Sequence, residues 1–138
     1  MENEAVLRGI SRIRRAYLDI SCLVNPYFEE TFSKMKMDLY ISELTLLELK
    51  SYCMYEQEIS YKDMLKRIEN VKILKINNII LKIAKRYVDN NIIEKSKYND
   101  ALHIAIAKYY QCFSIVYDTS TLREKNITFE KIYELENI

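Results

Sequence analysis

Short apolar runs alternate with longer stretches of helical periodicity along most of the chain. Four runs predict β-strands: residues 16–20, 38–42, 71–76 and 113–117. The first is apolar on both faces apart from one acid, a pattern typical of a buried parallel strand. Residues 127–135 are expected to add a last strand.

The stretches around these runs predict helices, which cover residues 1–15, 24–36, 43–57, 60–69, 79–90 and 101–110. Ser42 suits the start of helix 43–57, and Asn77 or Asn78 suits the start of helix 79–90, because short polar side chains accept hydrogen bonds from free backbone N–H groups. Alanine and isoleucine cover nearly the whole circumference of helix 101–110, so we expect it to be central and buried.

The alternation of strands with helices indicates an α/β fold. We expect three α/β/α layers, with a central, mainly parallel sheet of four or five strands that helices cover on both faces. No repeat, low-complexity tract or linker interrupts the pattern. Residues 1–138 are therefore predicted to form a single domain, with residues 1–15 as an N-terminal helical extension. Ligands of such sheets bind outside the carboxyl ends of the strands.

Charge and rare residues exclude several classes of function. The 138 residues include 21 basic and 20 acidic side chains, so the chain lacks the broad positive charge of many nucleic-acid binders. This balance does not exclude a local basic patch. The single glycine, Gly9, excludes Walker, Rossmann, nucleophile-elbow and EF-hand motifs, which need glycine at fixed places. The single histidine, His103, excludes zinc sites with two or three imidazoles.

The cysteines and the apolar segments bear on where the protein acts. Its three cysteines are far apart and form no C-x-x-C pair, which argues against a disulfide framework or a zinc site and favours a reducing compartment. No targeting segment is visible, and no apolar run is long enough to span a bilayer. We expect a cytoplasmic protein with no membrane partner.

Four acidic residues lie where this fold would gather them at one edge of the sheet. Asp19 and Asp118 lie at the carboxyl ends of predicted strands, Asp100 stands at the start of the buried helix, and Glu48 lies within helix 43–57. Each residue taken alone also has a purely structural interpretation: Asp100 as a helix cap, Asp118 as a turn residue and Glu48 as a solvent-exposed side chain. Asp19, at the end of a buried strand, is the hardest to explain by structure alone.

The position of Glu48 on its helix suggests that it faces inward. It shares a stripe of helical spacing with Leu44, Leu47, Ser51 and Tyr55. A carboxylate on an inward face destabilises the fold unless it has a partner. Four carboxylates at one point also repel one another unless a cation lies among them, and acidic oxygen sites suit Mg²⁺ or Mn²⁺.

Four blocks of sequence carry these acids: Y-L-D-I-S-C-L-V (17–24), I-S-E-L-T-L-L-E-L (41–49), Y-N-D-A-L-H-I-A-I-A (98–107) and S-I-V-Y-D-T-S (114–120). In order and spacing they resemble the PIN domain, a family of metal-dependent ribonucleases, over about residues 16 to 135. Many small members of that family are VapC-like toxins of toxin–antitoxin pairs.

The resemblance implies a function and a set of site residues. Asp19, Glu48, Asp100 and Asp118 would be the catalytic, metal-binding acids, and Ser21 would help to orient Asp19. The cofactor would be Mg²⁺ or Mn²⁺, as one ion or two, and the reaction hydrolysis of RNA by metal-activated water. The implied partners are an RNA substrate, a small antitoxin protein and a second copy of the chain in a homodimer.

Two positions depart from the family pattern. Ile20 stands where serine or threonine is common, and the last block reads V-Y-D-T-S instead of Thr-x-Asp followed by an aromatic residue. The irregular last block favours an alternative, a PIN-fold protein that no longer cuts and acts as an RNA-binding or assembly module. His103 lies one turn after Asp100, where it would either contact substrate or pack in the core, and we expect packing.

Overall fold

The computed structural model describes residues 15–26, 28–32, 37–56, 60–118 and 127–131. Five strands form one sheet in the order β3-β2-β1-β4-β5: β1 (Arg15–Leu18), β2 (Asp38–Ser42), β3 (Lys72–Leu74), β4 (Ser114–Asp118) and β5 (Ile127–Lys131). The first four are mutually parallel, and β5 runs antiparallel to β4. The expected α/β fold with a mainly parallel sheet is confirmed.

Helices follow the strands within the described part of the chain. They are α1 (Ile20–Leu23), α2 (Phe28–Phe32), α3 (Glu43–Tyr55), α4 (Tyr61–Arg67), α5 (Asn78–Asp89) and α6 (Tyr98–Tyr109), with a 3-10 turn at Lys95–Lys97 before α6. Ser42 caps α3 through a reciprocal pair of bonds with Thr45. Asn77 caps α5, because its Oδ1 accepts from the Ile80 N–H at 2.9 Å. No helix of this part is long and apolar enough to cross a membrane.

Apolar side chains cover both faces of the sheet and produce three layers. Successive side chains of a strand point to opposite faces. Ala16 and Leu18 therefore pack with the helices between β1 and β3, whereas Tyr17 packs against α5 and α6. Every residue from Ala101 to Ala107 is buried, as predicted for the most apolar helix of the chain.

One predicted helix is wrong, and others extend beyond the described residues. The helix expected at residues 24–36 is not continuous: α1 begins directly after β1 and ends at Leu23, before this range, and among the described residues only α2 lies within it. Pro26 then lacks a backbone N–H and disfavours helical geometry at the residue before it. Residues 1–14, 33–36 and 132–138 lie outside the described part, and Arg15 belongs to β1 and not to the predicted N-terminal helix.

The choice between Asn77 and Asn78 as the cap of α5 is testable by substitution. Asn77→Ala should lower the free energy of unfolding by about 1 kcal/mol, because the Ile80 N–H loses its acceptor. Asn78→Ala keeps that bond and places a better helix former in the first turn, so it should leave the free energy of unfolding equal or slightly higher. Urea unfolding of both variants measures the difference, and equal losses would contradict the assignment.

Candidate functional site

The carboxyl ends of β1 and β4 bring two of the predicted acids to the same edge of the sheet. Asp19 directly follows β1, and Asp118 is the last residue of β4. The two strands are parallel neighbours with Leu18 opposite Val116. The Asp19 N–H continues this ladder by donating to the Val116 carbonyl at 2.9 Å. The side chain of Asp118 lies outside the described part of the chain.

The carboxylate of Asp19 is held by the start of α1. Asp19 is the N-cap of that helix, and its Oδ2 accepts from the Ser21 N–H at 3.0 Å. The contact comes from the backbone N–H of Ser21, the residue that the resemblance implied would orient Asp19. A carboxylate offers about four acceptor positions on its two oxygens, so capping leaves Asp19 with capacity to bind a cation.

Glu48 lies in the second turn of α3 and is paired with the chain's one histidine. Its Oε1 is 2.7 Å from Nε2 of His103 on α6. The Glu48 side chain is 30% exposed, so the carboxylate lies at the boundary between core and solvent. Because an ionised carboxylate only accepts hydrogen bonds, Nε2 carries the proton of this contact, and the N–H group donates the hydrogen bond to Glu48.

The prediction that the helical stripe containing Glu48 faces the core is wrong. Leu47 and Tyr55 are 65% and 85% exposed, and the buried residues of α3 are Thr45 and Leu49. Periodicity identifies the residues that share a face, but not what that face packs against. The stripe lines an open cleft, and the partner that a half-buried carboxylate needs comes from α6.

Behind Glu48, hydrogen bonds continue into the core. Nδ1 of His103 is 2.6 Å from the hydroxyl of Tyr17, which in turn is 2.7 Å from Oγ of Ser42 and 3.3 Å from Oγ1 of Thr45. Tyr17 is fully buried, and this burial raises the pKa of its hydroxyl well above the usual range. Tyr17 is therefore a neutral phenol and keeps a proton to donate.

Sequence reasoning missed this role of His103. The expected burial is confirmed, but the ring is not inert packing, since it joins Tyr17 to Glu48. The available signals were weak: His103 follows Asp100 by three residues on one helix, and Tyr17 precedes Asp19 by two on one strand. Neither spacing points to Glu48.

Asp100 lies in the first turn of α6 but does not cap it. The helix begins at Tyr98, and its N-cap residue, Lys97, forms no side-chain cap hydrogen bond. The interpretation of Asp100 as the opening cap is therefore wrong, because the 3-10 turn starts the helix earlier than predicted. Asp100 is exposed, in a position where the helix dipole favours a carboxylate.

Two open surface clefts are lined by residues that neighbour the predicted acids in the sequence. Ile20 and Asn99 line the cleft that contains Glu48. Tyr117 lines the cleft that contains Asp100. Ile20 follows Asp19, Asn99 precedes Asp100, and Tyr117 precedes Asp118. Glu48 and Asp100 thus line open clefts, and the cleft of Glu48 also includes one residue adjacent in sequence to Asp19 and another adjacent to Asp100.

The donor atoms at this edge suit a hydrated divalent ion. Within the described residues, Asp19, Glu48 and Asp100 form no salt bridge with lysine or arginine. Nor do three or more His, Cys, Asp or Glu side chains of that part lie close enough together to hold an ion by themselves. Mg²⁺ usually keeps several waters and takes only one or two protein carboxylates, so carboxylates without a lysine or arginine partner fit it.

Comparison with known proteins adds one match. Residues 16–126 match the sequence profile of the PIN domain. The match spans the chain from β1 through β4 and includes all four blocks that carry the predicted acids. A search of curated proteins gave no match.

The buried hydroxyl of Tyr17 should stabilise the protein. Tyr17→Phe leaves Nδ1 of His103 and Oγ of Ser42 without this partner, so the free energy of unfolding should fall by about 1 to 3 kcal/mol. The matched control is Tyr40→Phe on β2, whose hydroxyl makes no hydrogen bond to the described residues and whose loss should change stability by less than about 0.5 kcal/mol. Denaturant unfolding measures both, and equal effects would contradict a stabilising network.

Proposed function

The chain belongs to the PIN domain family, and we propose that it is a metal-dependent endoribonuclease that hydrolyses RNA phosphodiester bonds. PIN domains are generally nucleases. One observation carries the assignment of the site to Asp19, Glu48 and Asp100: the cleft that Glu48 lines also includes Ile20, next to Asp19, and Asn99, next to Asp100. No lysine or arginine of the described part neutralises them.

Asp19, Glu48 and Asp100 would hold a Mg²⁺ or Mn²⁺ ion, directly or through water, and Asp118 would assist with the same ion or a second one. A bound ion of this kind polarises a phosphoryl oxygen and lowers the pKa of a coordinated water. The chain supplies orientation: the Ser21 N–H holds Oδ2 of Asp19, and His103 holds Oε1 of Glu48.

The rims of the two clefts suit a single-stranded nucleic acid. The strongly exposed ring of Tyr55 lies at the cleft that contains Glu48, where an unpaired base can stack on it. Lys97 lines the cleft that contains Asp100, where an ammonium group can neutralise a backbone phosphate. The choice of RNA as the substrate rests on the family and on its four sequence blocks.

We further propose that the protein is the toxin of a VapBC-like pair and acts in the cytoplasm with a small antitoxin protein as its inhibitor. Support comes from the four blocks and from the cysteines, none of which forms a disulfide. A short reading frame beside the gene, whose product binds the protein and blocks cleavage, would test this role.

A second function is favoured by the irregular block 114–120. In that case the chain would bind RNA, or assemble with other proteins, without cutting. Cleavage assays separate the two functions, because only the nuclease needs the carboxylates to act on a phosphodiester.

Cleavage should depend on a divalent ion and on Asp19. Tag-free protein should cut single-stranded RNA with Mg²⁺ or Mn²⁺ and lose this activity in excess chelator. Asp19→Asn should lower the cleavage rate by about 100-fold or more, while its amide oxygen still caps α1. Glu69→Gln, an exposed acid remote from this edge, is the control and should cut like the wild type. Full cleavage in chelator would overturn the metal mechanism, and RNA binding without cleavage would favour the second function.

A homodimer should form through apolar side chains on α3. Met54 is 74% exposed and does not line the cleft that contains Glu48, so a second copy can cover it. Sedimentation velocity should show a dimer for the wild type and a monomer for Met54→Glu. Ile79→Glu, at an exposed apolar position on α5, is the matched control and should leave the dimer intact. A monomeric wild type at high micromolar concentration would contradict the interface.

A further inference from the structure

The hydrogen bonds that link the core to Glu48 have a single direction. We infer that His103 is a positioning residue, which fixes the Glu48 carboxylate for metal binding through its Nε2–H and is kept in that tautomer by the hydroxyl of Tyr17. The inference deepens the proposed nuclease function and rests on it, since it concerns how one proposed metal ligand is oriented.

The donor direction follows from the chemistry of each group. Glu48 only accepts, so Nε2 of His103 donates, and in the neutral imidazole Nδ1 is then an acceptor. The Tyr17 hydroxyl lies 2.6 Å from Nδ1 and donates to it. The oxygen of Tyr17 can in turn accept from the Ser42 hydroxyl at 2.7 Å, while Oγ of Ser42 accepts from the Thr45 N–H. Each donor therefore points toward Glu48.

The surroundings keep the imidazole from rotating. Tyr17, Ser42 and Thr45 are fully buried, and His103 is nearly so. The rings of Tyr17 and His103 are tilted by 56° with centroids 5.6 Å apart, so both are held by packing as well as by hydrogen bonds. A rotated ring would lose the contacts with Tyr17 and Glu48 and leave a buried imidazole nitrogen without a partner, which is unfavourable.

A fixed imidazole matters because Glu48 is only partly packed. A free glutamate samples many rotamers, and ordering its side chain on metal binding costs conformational entropy. The bond from Nε2 to Oε1 orders the carboxylate in advance and leaves Oε2 as the oxygen with open capacity. Groups that orient metal ligands in this way typically change metal affinity by about 10- to 100-fold when removed.

Two substitutions separate positioning from packing. The terminal amide of His103→Gln places an N–H donor near the former Nε2, within reach of Glu48. The shorter amide of His103→Asn occupies the region of Nδ1, near Tyr17, and does not reach Glu48. Both variants remove the ring, so their free energies of unfolding in chelator should fall by similar amounts.

The first measurement is the Mn²⁺ affinity of tag-free protein without RNA, by calorimetry. His103→Asn should bind Mn²⁺ about 10- to 100-fold more weakly than the wild type, and His103→Gln should recover part of that loss. If the wild type binds Mn²⁺ and cleaves RNA but His103→Asn binds the ion equally well, the inference alone fails. If the wild type binds no Mn²⁺, the proposed function fails and the inference fails with it.

The second measurement leaves His103 itself unchanged. His103 is the chain's one histidine, so protein labelled with ¹⁵N-histidine contains a single imidazole to observe by NMR. Its two nitrogens should report the Nε2–H tautomer at neutral pH, and Mg²⁺ should shift the Nε2 resonance. Glu48→Ala should abolish that shift. An Nδ1–H tautomer, or a shift that persists in Glu48→Ala, would overturn the inference.

Discussion

Parallel pairing of β1 with both β2 and β4 is the constraint on which the rest of the structure depends. Because β1 is central, its side chains pack into the cores on both faces of the sheet. Tyr17 points toward α5 and α6, and Ala16 and Leu18 point toward the helices on the opposite face. The same pairing sets the carboxyl end of β1 beside that of β4. Asp19 has little freedom there, since its N–H bonds to β4 and its carboxylate caps α1.

Tyr17 links the central strand β1 to the candidate site through hydrogen bonds. An aromatic ring at the centre of the sheet buries a large apolar area, but its hydroxyl needs a partner in a region without solvent. Ser42 and His103 meet that need from two different layers, and His103 then reaches Glu48 at the cleft. A core tyrosine thus connects the packing of the sheet to a carboxylate of the proposed metal centre.

Local features of this chain were predictable from short-range chemistry. The apolar runs mark β1 to β4, and Ser42 and Asn77 cap helices because their side chains reach N–H groups three residues away. Residues 24–36 were harder, because the sequence offers both a start after Asp19 and a restart near Pro26. The alternative interpretation of Asp100 as a cap arose because the 3-10 turn before α6 carries no strong sequence signal.

The sequence by itself determined the alternation of strands and helices, the burial of helix α6 and the presence of acids at strand ends, because these follow from periodicity and from neighbouring residues. Only the tertiary structure decided that the stripe of Leu47 and Tyr55 faces a cleft, and that Glu48 meets His103. Glu48 and His103 are 55 residues apart, and each is equally plausible alone as a surface acid or a packed ring. Their contact depends on how α3 and α6 meet at the sheet edge, which a residue-by-residue pattern does not encode.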